Sequence, residues 1–75
     1  MSLLPKLYEI KKMRIGYGIS QRQLAIMSNV SPSMINQIES GITKPSYETA
    51  TRIFKVLDER KLINRLRIYI RGRSQ

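Results

Sequence analysis

Apolar residues recur along this chain at the three- and four-residue spacing of helices, in short runs that stop at regular intervals. Leu3, Leu7, Ile10 and Met13, with Leu4 as a further candidate, form one such stripe and predict a helix over residues 3–15. Ser2 is placed to cap it, and Pro5 falls in its first turn, where a missing N–H is tolerated. Gly16 and Gly18 end it. The next run opens with SQRQ, a capping box in which Ser20 accepts from the Gln23 N–H and the Gln23 side chain reaches back. It predicts a short helix over residues 21–28 that turns Leu24 and Met27 inward. Ala25 there is small enough for another helix to approach closely.

Ser28-Asn29-Val30 breaks the run, because Asn tolerates the left-handed conformation that often terminates helices. Ser31 caps a third helix, Pro32 suits its first position, Ile35 and Ile38 face inward, and Gly41 stops it near residue 40. Two short helices joined by so tight a turn form a helix-turn-helix unit. After the loop Ile42-Thr43-Lys44-Pro45, Ser46 caps a fourth helix to about Leu57, with Ala50, Ile53, Phe54 and Leu57 inside. The last segment reads two ways. Leu62, Ile63, Leu66, Tyr69 and Ile70 make a helical stripe, while residues 65–71 also alternate as a half-buried strand does; helix is the preferred reading. The expected class is all-α, a compact bundle of four to five short helices. The expected division is a helix-turn-helix domain over residues 1–58 and a basic segment over residues 59–75.

Composition narrows the setting. Seventy-five residues make one small domain without cysteine, so packing, alone or with a second copy, supplies its stability. No apolar run approaches the ~20 residues that span a bilayer, and the first residues lack the apolar core of a signal peptide. A cytoplasmic protein is expected. The formal charge is +9, concentrated at Lys6, Lys11, Lys12 and Arg14 and again from Arg60 to Arg73. So strong a positive balance points to a polyanion, nucleic acid before an anionic membrane, against the plainer reading that Lys and Arg merely coat helices. Residues 23–43 nevertheless hold no Lys or Arg, and their one charge is Glu39. With no His and no Cys, the usual general base, thiol nucleophile and common metal ligands are missing, so no enzyme activity, metal or cofactor is expected.

The order of motifs is more specific than any one of them. GISQ followed by LA, NVS before the third helix, IESG closing it and KPS-ETA opening the fourth resemble the lambda-repressor-like, Cro-type (XRE-like) helix-turn-helix family over roughly residues 7–57. The run KPSYETATRIFKVLDE with the opening LPKLYEIKK resembles the DNA-binding domains of archaeal regulators. Some of those carry cystathionine-β-synthase domains behind the helix-turn-helix, so this chain is expected to be a stand-alone regulator or a domain of a longer one. Two positions depart from the family pattern: Asn29 stands where Gly is usual, and Gly16 where a polar helix former is common.

The bare middle then has a reading. Base edges in the major groove are read by neutral hydrogen-bonding groups as well as by Arg. Ser33, Asn36 and Gln37 lie on a helix face distinct from Ile35 and Ile38, and Met34 is either a contact to a thymine methyl or gap-filling core. The resemblance implies base contact at Ser33 and Gln37 and phosphate contact at Gln21, Thr43 and Lys44. It also implies a structural ion pair between Arg14 and Glu39. Arg22, near the start of the second helix, is a further phosphate candidate or plain surface. The expected protein is a sequence-specific regulator of double-stranded DNA, a homodimeric repressor on a pseudo-palindromic operator, with activation equally open from the sequence. The apolar face of residues 62–70 would serve for self-association or pack back on the first and fourth helices. No small-molecule ligand and no membrane partner are expected. The rival reading is a protein-interaction adaptor, coactivator-like or antitoxin-type, with only nonspecific DNA affinity.

Overall fold

The computed structural model describes residues 7–73, with side chains to residue 67. Local sequence sets where each element begins. At Ser20 the hydroxyl accepts from the Gln23 N–H at 3.0 Å while Gln23 Oε1 accepts from the Ser20 N–H at 2.8 Å, and helix α2 (Gln21–Ser28) follows. Ser31 accepts from the Met34 N–H at 3.1 Å, Pro32 takes the first helical position, and α3 (Pro32–Glu39) follows. Ser46 accepts from the Thr49 N–H at 3.1 Å ahead of α4 (Tyr47–Arg73). Each cap satisfies a donor that the first turn of a helix cannot pair internally.

The first three helices end by one device. After α1 (Glu9–Gly16) the Ile19 N–H donates to the Arg14 carbonyl and the Gly18 N–H to the Ile15 carbonyl, with Gly18 at φ +71°. The same crossed pair of bonds follows α2 at Val30 and Asn29, and α3 at Ile42 and Gly41. This arrangement needs a residue in the left-handed region and satisfies carbonyls left over at the helix end. Asn29 supplies it at φ 59°, exposed and with no side-chain hydrogen bond among the described residues. Asn29→Gly is therefore expected to leave the melting temperature unchanged or raise it slightly, whereas Asn29→Val lowers it, since a β-branched residue resists positive φ. Thermal unfolding of the two variants checks this. A large loss in Asn29→Gly would mean that the Asn side chain has a necessary partner.

The core is built from all four helices: Ile10, Leu24, Ala25, Ile35, Ile38, Ile53, Phe54 and Leu57 are buried, together with the loop residue Ile19. Ala50 is buried beside them. Leu7, Met13, Tyr17, Val30, Met34 and Val56 close its edges. Ala25 has no exposed surface, in keeping with close approach of α2 to its neighbours.

Several expectations need correction. The first regular helix begins at Glu9, after a turn at Leu7 and Tyr8; the part of the expected helix before residue 7, with Ser2, Leu3, Leu4 and Pro5, lies outside the described residues. Gly16 is itself helical, and the stop falls at Gly18. Met27 does not turn inward but is 44% exposed, because Leu24, Ala25 and Ser28 already fill the inner face of α2. The fourth helix does not end near Leu57; it runs on to Arg73. Residues 58–71 hold no Pro and no Gly and are rich in Arg, so nothing breaks the helix, and strand-like alternation over seven residues does not outweigh that continuity.

The extension of α4 changes face. Ala50, Ile53, Phe54 and Leu57 point into the core, whereas Leu62, Ile63 and Leu66 are exposed. At 3.6 residues per turn the second set lies about half a turn round the helix from the first. Leu62 and Leu66 therefore point away from the bundle, while Ile63 borders a cavity with Met27 and Val56. Among the described residues no helix is long and apolar enough to cross a membrane.

Candidate nucleic-acid interface

Beneath α3 lies a buried polar cluster. Arg14, in the last turn of α1, donates through Nε to Glu39 Oε2 at 2.7 Å and through Nη2 to Glu39 Oε1 at 3.1 Å. Its Nη1 donates to the Ile19 carbonyl at 2.9 Å, and Gln21 Nε2 donates to Glu39 Oε1 at 3.0 Å. The ion pair is almost sealed from water, its side chains 10% and 2% exposed. A planar guanidinium meeting a carboxylate through two parallel bonds fixes orientation as well as distance. Four parts of the fold are thereby joined: the end of α1, the loop at Ile19, the start of α2 and the end of α3.

On the other side of α3 is a neutral polar face. Ser33 and Asn36 are exposed, and Gln37 is half-buried. The Thr43 hydroxyl donates to Gln37 Oε1 at 3.1 Å, which holds the amide while leaving its nitrogen two donors. The Thr43 N–H also donates to the Gln37 carbonyl, tying the loop to the end of the helix. Met34 differs from its neighbours: it is half-buried and packs against the core, so it fills a gap at the base of this face. Ile35 and Ile38 are buried beneath.

Cations flank the face. Arg22 in the first turn of α2 is exposed, and so is Lys44 in the loop after α3. Gln21 is half-buried, with one amide N–H engaged by Glu39 and the other still available. The structure thus brings Ser33, Asn36, Gln37, Thr43 and Lys44 together on or beside α3 and sets Arg14 and Glu39 below them. Arg22 and Gln21 come from the neighbouring helix.

Three features went unnoticed in the sequence. Gln21 is the third member of the buried cluster, a role that its place just after a cap does not reveal. Arg52 of α4 donates through Nε to the Ser28 carbonyl at 3.2 Å and pairs through Nη1 with Glu48 at 3.2 Å, clamping the end of α2. Ile42 stands 75% exposed beside Thr43 and Lys44, an apolar tip on a polar rim; its position between Gly41 and Thr43 is the only signal for it.

Among the described residues no group of His, Cys, Asp or Glu is arranged to hold a metal ion. No curated protein and no solved structure matches this chain. A family model does, described as helix-turn-helix, and it matches residues 10–62, from the buried Ile10 of α1 to the first exposed leucine of the α4 extension. The match concerns the fold family, one of DNA-binding regulators, and does not extend to an archaeal source. With a capped α2, a left-handed turn at Asn29 and a capped α3 inside that span, the chain belongs to the lambda-repressor-like (XRE) helix-turn-helix family.

Proposed function

We propose that the chain is a sequence-specific transcriptional regulator that enters the major groove of double-stranded DNA with α3 and acts as a homodimeric repressor. The observation that carries this reading is the division of α3 into two faces. Ile35 and Ile38 are buried, while Ser33, Asn36 and Gln37 offer donors and acceptors with no competing charge. A face of that kind suits base edges, which present donors and acceptors of their own. Ser33, Asn36 and Gln37 read bases, and Met34 at the foot of the face meets a thymine methyl. Arg22, Lys44, Thr43 and the free N–H of Gln21 contact phosphates, which position a protein without choosing a sequence.

Selection of sites from random duplexes at near-physiological salt tests the reading. Enrichment of a two-fold motif supports a dimeric regulator. Absence of any motif, with binding lost as salt rises, transfers the weight to the adaptor. Gln37→Ala is expected to weaken the selected site by about 1–3 kcal/mol, roughly 5- to 150-fold, and to leave nonspecific duplex binding nearly unchanged. Titration of both duplexes gives that ratio. An equal loss on both would make Gln37 a positioning contact only.

A further inference from the structure

Between the end of α2 and the middle of α4 runs a trough. Two hollows of about 270 and 280 Å³ lie there and share Met27, Val56 and Glu59 in their lining. On α4 the lining positions 52, 56, 59 and 63 recur every three or four residues, which makes one line about 16 Å long with Lys55 and Arg60 to either side of it. Met27 and Ile63, each 44% exposed, and the half-buried Val56 give it an apolar floor. The trough is preformed, because the bond from Arg52 to the Ser28 carbonyl holds the end of α2 against α4. The charge of Arg52 is met by Glu48. Among the described residues Lys55, Glu59 and Arg60 take part in no ion pair.

We propose that this trough docks a short amphipathic helix of another protein. A large apolar side chain of that helix sits over Met27, Val56 and Ile63, and one carboxylate meets each of Lys55 and Arg60. Apolar burial in a groove supplies the affinity of such a contact, and the charges fix its register. Lys55 and Arg60 stand about 7.5 Å apart along the α4 axis, so the carboxylates are about four or five residues apart on the docked helix and bracket the apolar one. Glu59, between the two cations, disfavours a third acid there. A phosphate backbone would set unbroken negative charge against Glu59 and against an apolar floor. A bilayer surface does not enter a hollow between two helices. Nor does this chain carry the complement: its acids are Glu9, Glu39, Glu48, Asp58 and Glu59, no two of them four or five residues apart, and residues 1–6 and 74–75 hold none. The charge pattern therefore selects a different protein over a second copy. The trough shares no lining residue with the side chains read above as DNA contacts, so the proposal goes beyond the reading of α3 and does not depend on it.

The test is run without DNA, so its failure and a failure of DNA recognition are told apart. A displayed library of helical peptides is selected on the 75-residue chain, with Met27→Lys as the counter-selection. Enriched peptides are expected to carry one large apolar residue bracketed by Asp or Glu at that spacing. The tightest of them, made synthetically, is expected to bind Met27→Lys, Ile63→Lys and Lys55→Glu at least tenfold more weakly than the parent, while circular dichroism of each variant stays helical. Glu59→Gln is expected to tighten it, and exchange of one peptide acid for Lys to restore binding to Lys55→Glu. No enrichment over the counter-selection overturns the proposal, and so do enriched peptides without acids or affinities that the variants leave unchanged. Sedimentation equilibrium and phosphatidylglycerol vesicles cover the other occupants: a dimer of the chain, or vesicle binding, that Met27→Lys abolishes also overturns it.

Discussion

Arg14→Ala will lower the melting temperature steeply, although it removes only one side chain. Glu39 would then keep its carboxylate in a site 2% exposed, with Gln21 as its one remaining side-chain donor. The Ile19 carbonyl would lose the Nη1–H as well. Breaking a buried pair from one side typically costs about 3–5 kcal/mol, because the orphaned charge stays buried. A domain of this size has roughly 4–11 kcal/mol in total, by the usual stability per residue. At about 4–8 °C per kcal/mol, the melting temperature should drop by roughly 12–40 °C. Removing both charges, as in Arg14→Met with Glu39→Leu, should recover part of that loss, since two apolar side chains leave no buried charge. Recovery stays partial because Gln21 and the Ile19 carbonyl still lack their partners. Thermal denaturation of the single and double variants decides it. A single variant that melts as the parent does, yet binds DNA weakly, would make Arg14 a DNA ligand.

Ile35→Ala and Asn36→Ala, one residue apart on α3, should behave in opposite ways. Ile35 has no exposed surface and sits in the core between the helices. Truncating it opens a cavity in a domain with few other core residues, at an expected cost of about 2–5 kcal/mol. Asn36 is exposed and makes no side-chain bond among the described residues, so its loss should change stability by less than about 0.5 kcal/mol. The order should invert for DNA. At a temperature where both variants are folded, Asn36→Ala weakens binding to the selected site and Ile35→Ala does so only through its unfolded fraction. Chemical denaturation and duplex titration of the pair give the two numbers. Equal destabilisation by both would mean that α3 is not divided into a structural and a reading face.

What could be read in advance divides by range. Ser20 with Gln23, Ser31 with Pro32, Ser46, and the stops at Gly18, Asn29 and Gly41 all act within a few residues, and helix boundaries there follow from local chemistry. The inward residues of α3 and of the first half of α4 follow from spacing alone. Met27 does not, because the spacing of α2 admits either flank and Ser28, hydrogen-bonded to the Leu24 carbonyl, takes the inner place. Arg14 and Glu39 are 25 residues apart, and no pattern within the chain joins them; only the family resemblance does. Gln21 joins that cluster through a contact with no local signature. The length of α4 was obscured by its change of face: a stripe that moves half a turn at Leu57 looks like the end of one element and the start of another. Of the interface, the neutral face of α3 was legible because side-chain chemistry and helical phase both mark it. The clamp from Arg52 to the Ser28 carbonyl was not, since a backbone acceptor leaves no trace in a sequence.

The unbroken backbone of α4 sets a rule for how this chain can vary. Its buried and exposed stripes share one rigid rod, so the angle between them is counted in residues. Substitutions between Leu57 and Leu62 leave that count alone. An inserted or deleted residue there turns everything beyond it by about 100°, and only changes close to whole turns keep both stripes in phase. Over that short stretch length is the constrained quantity.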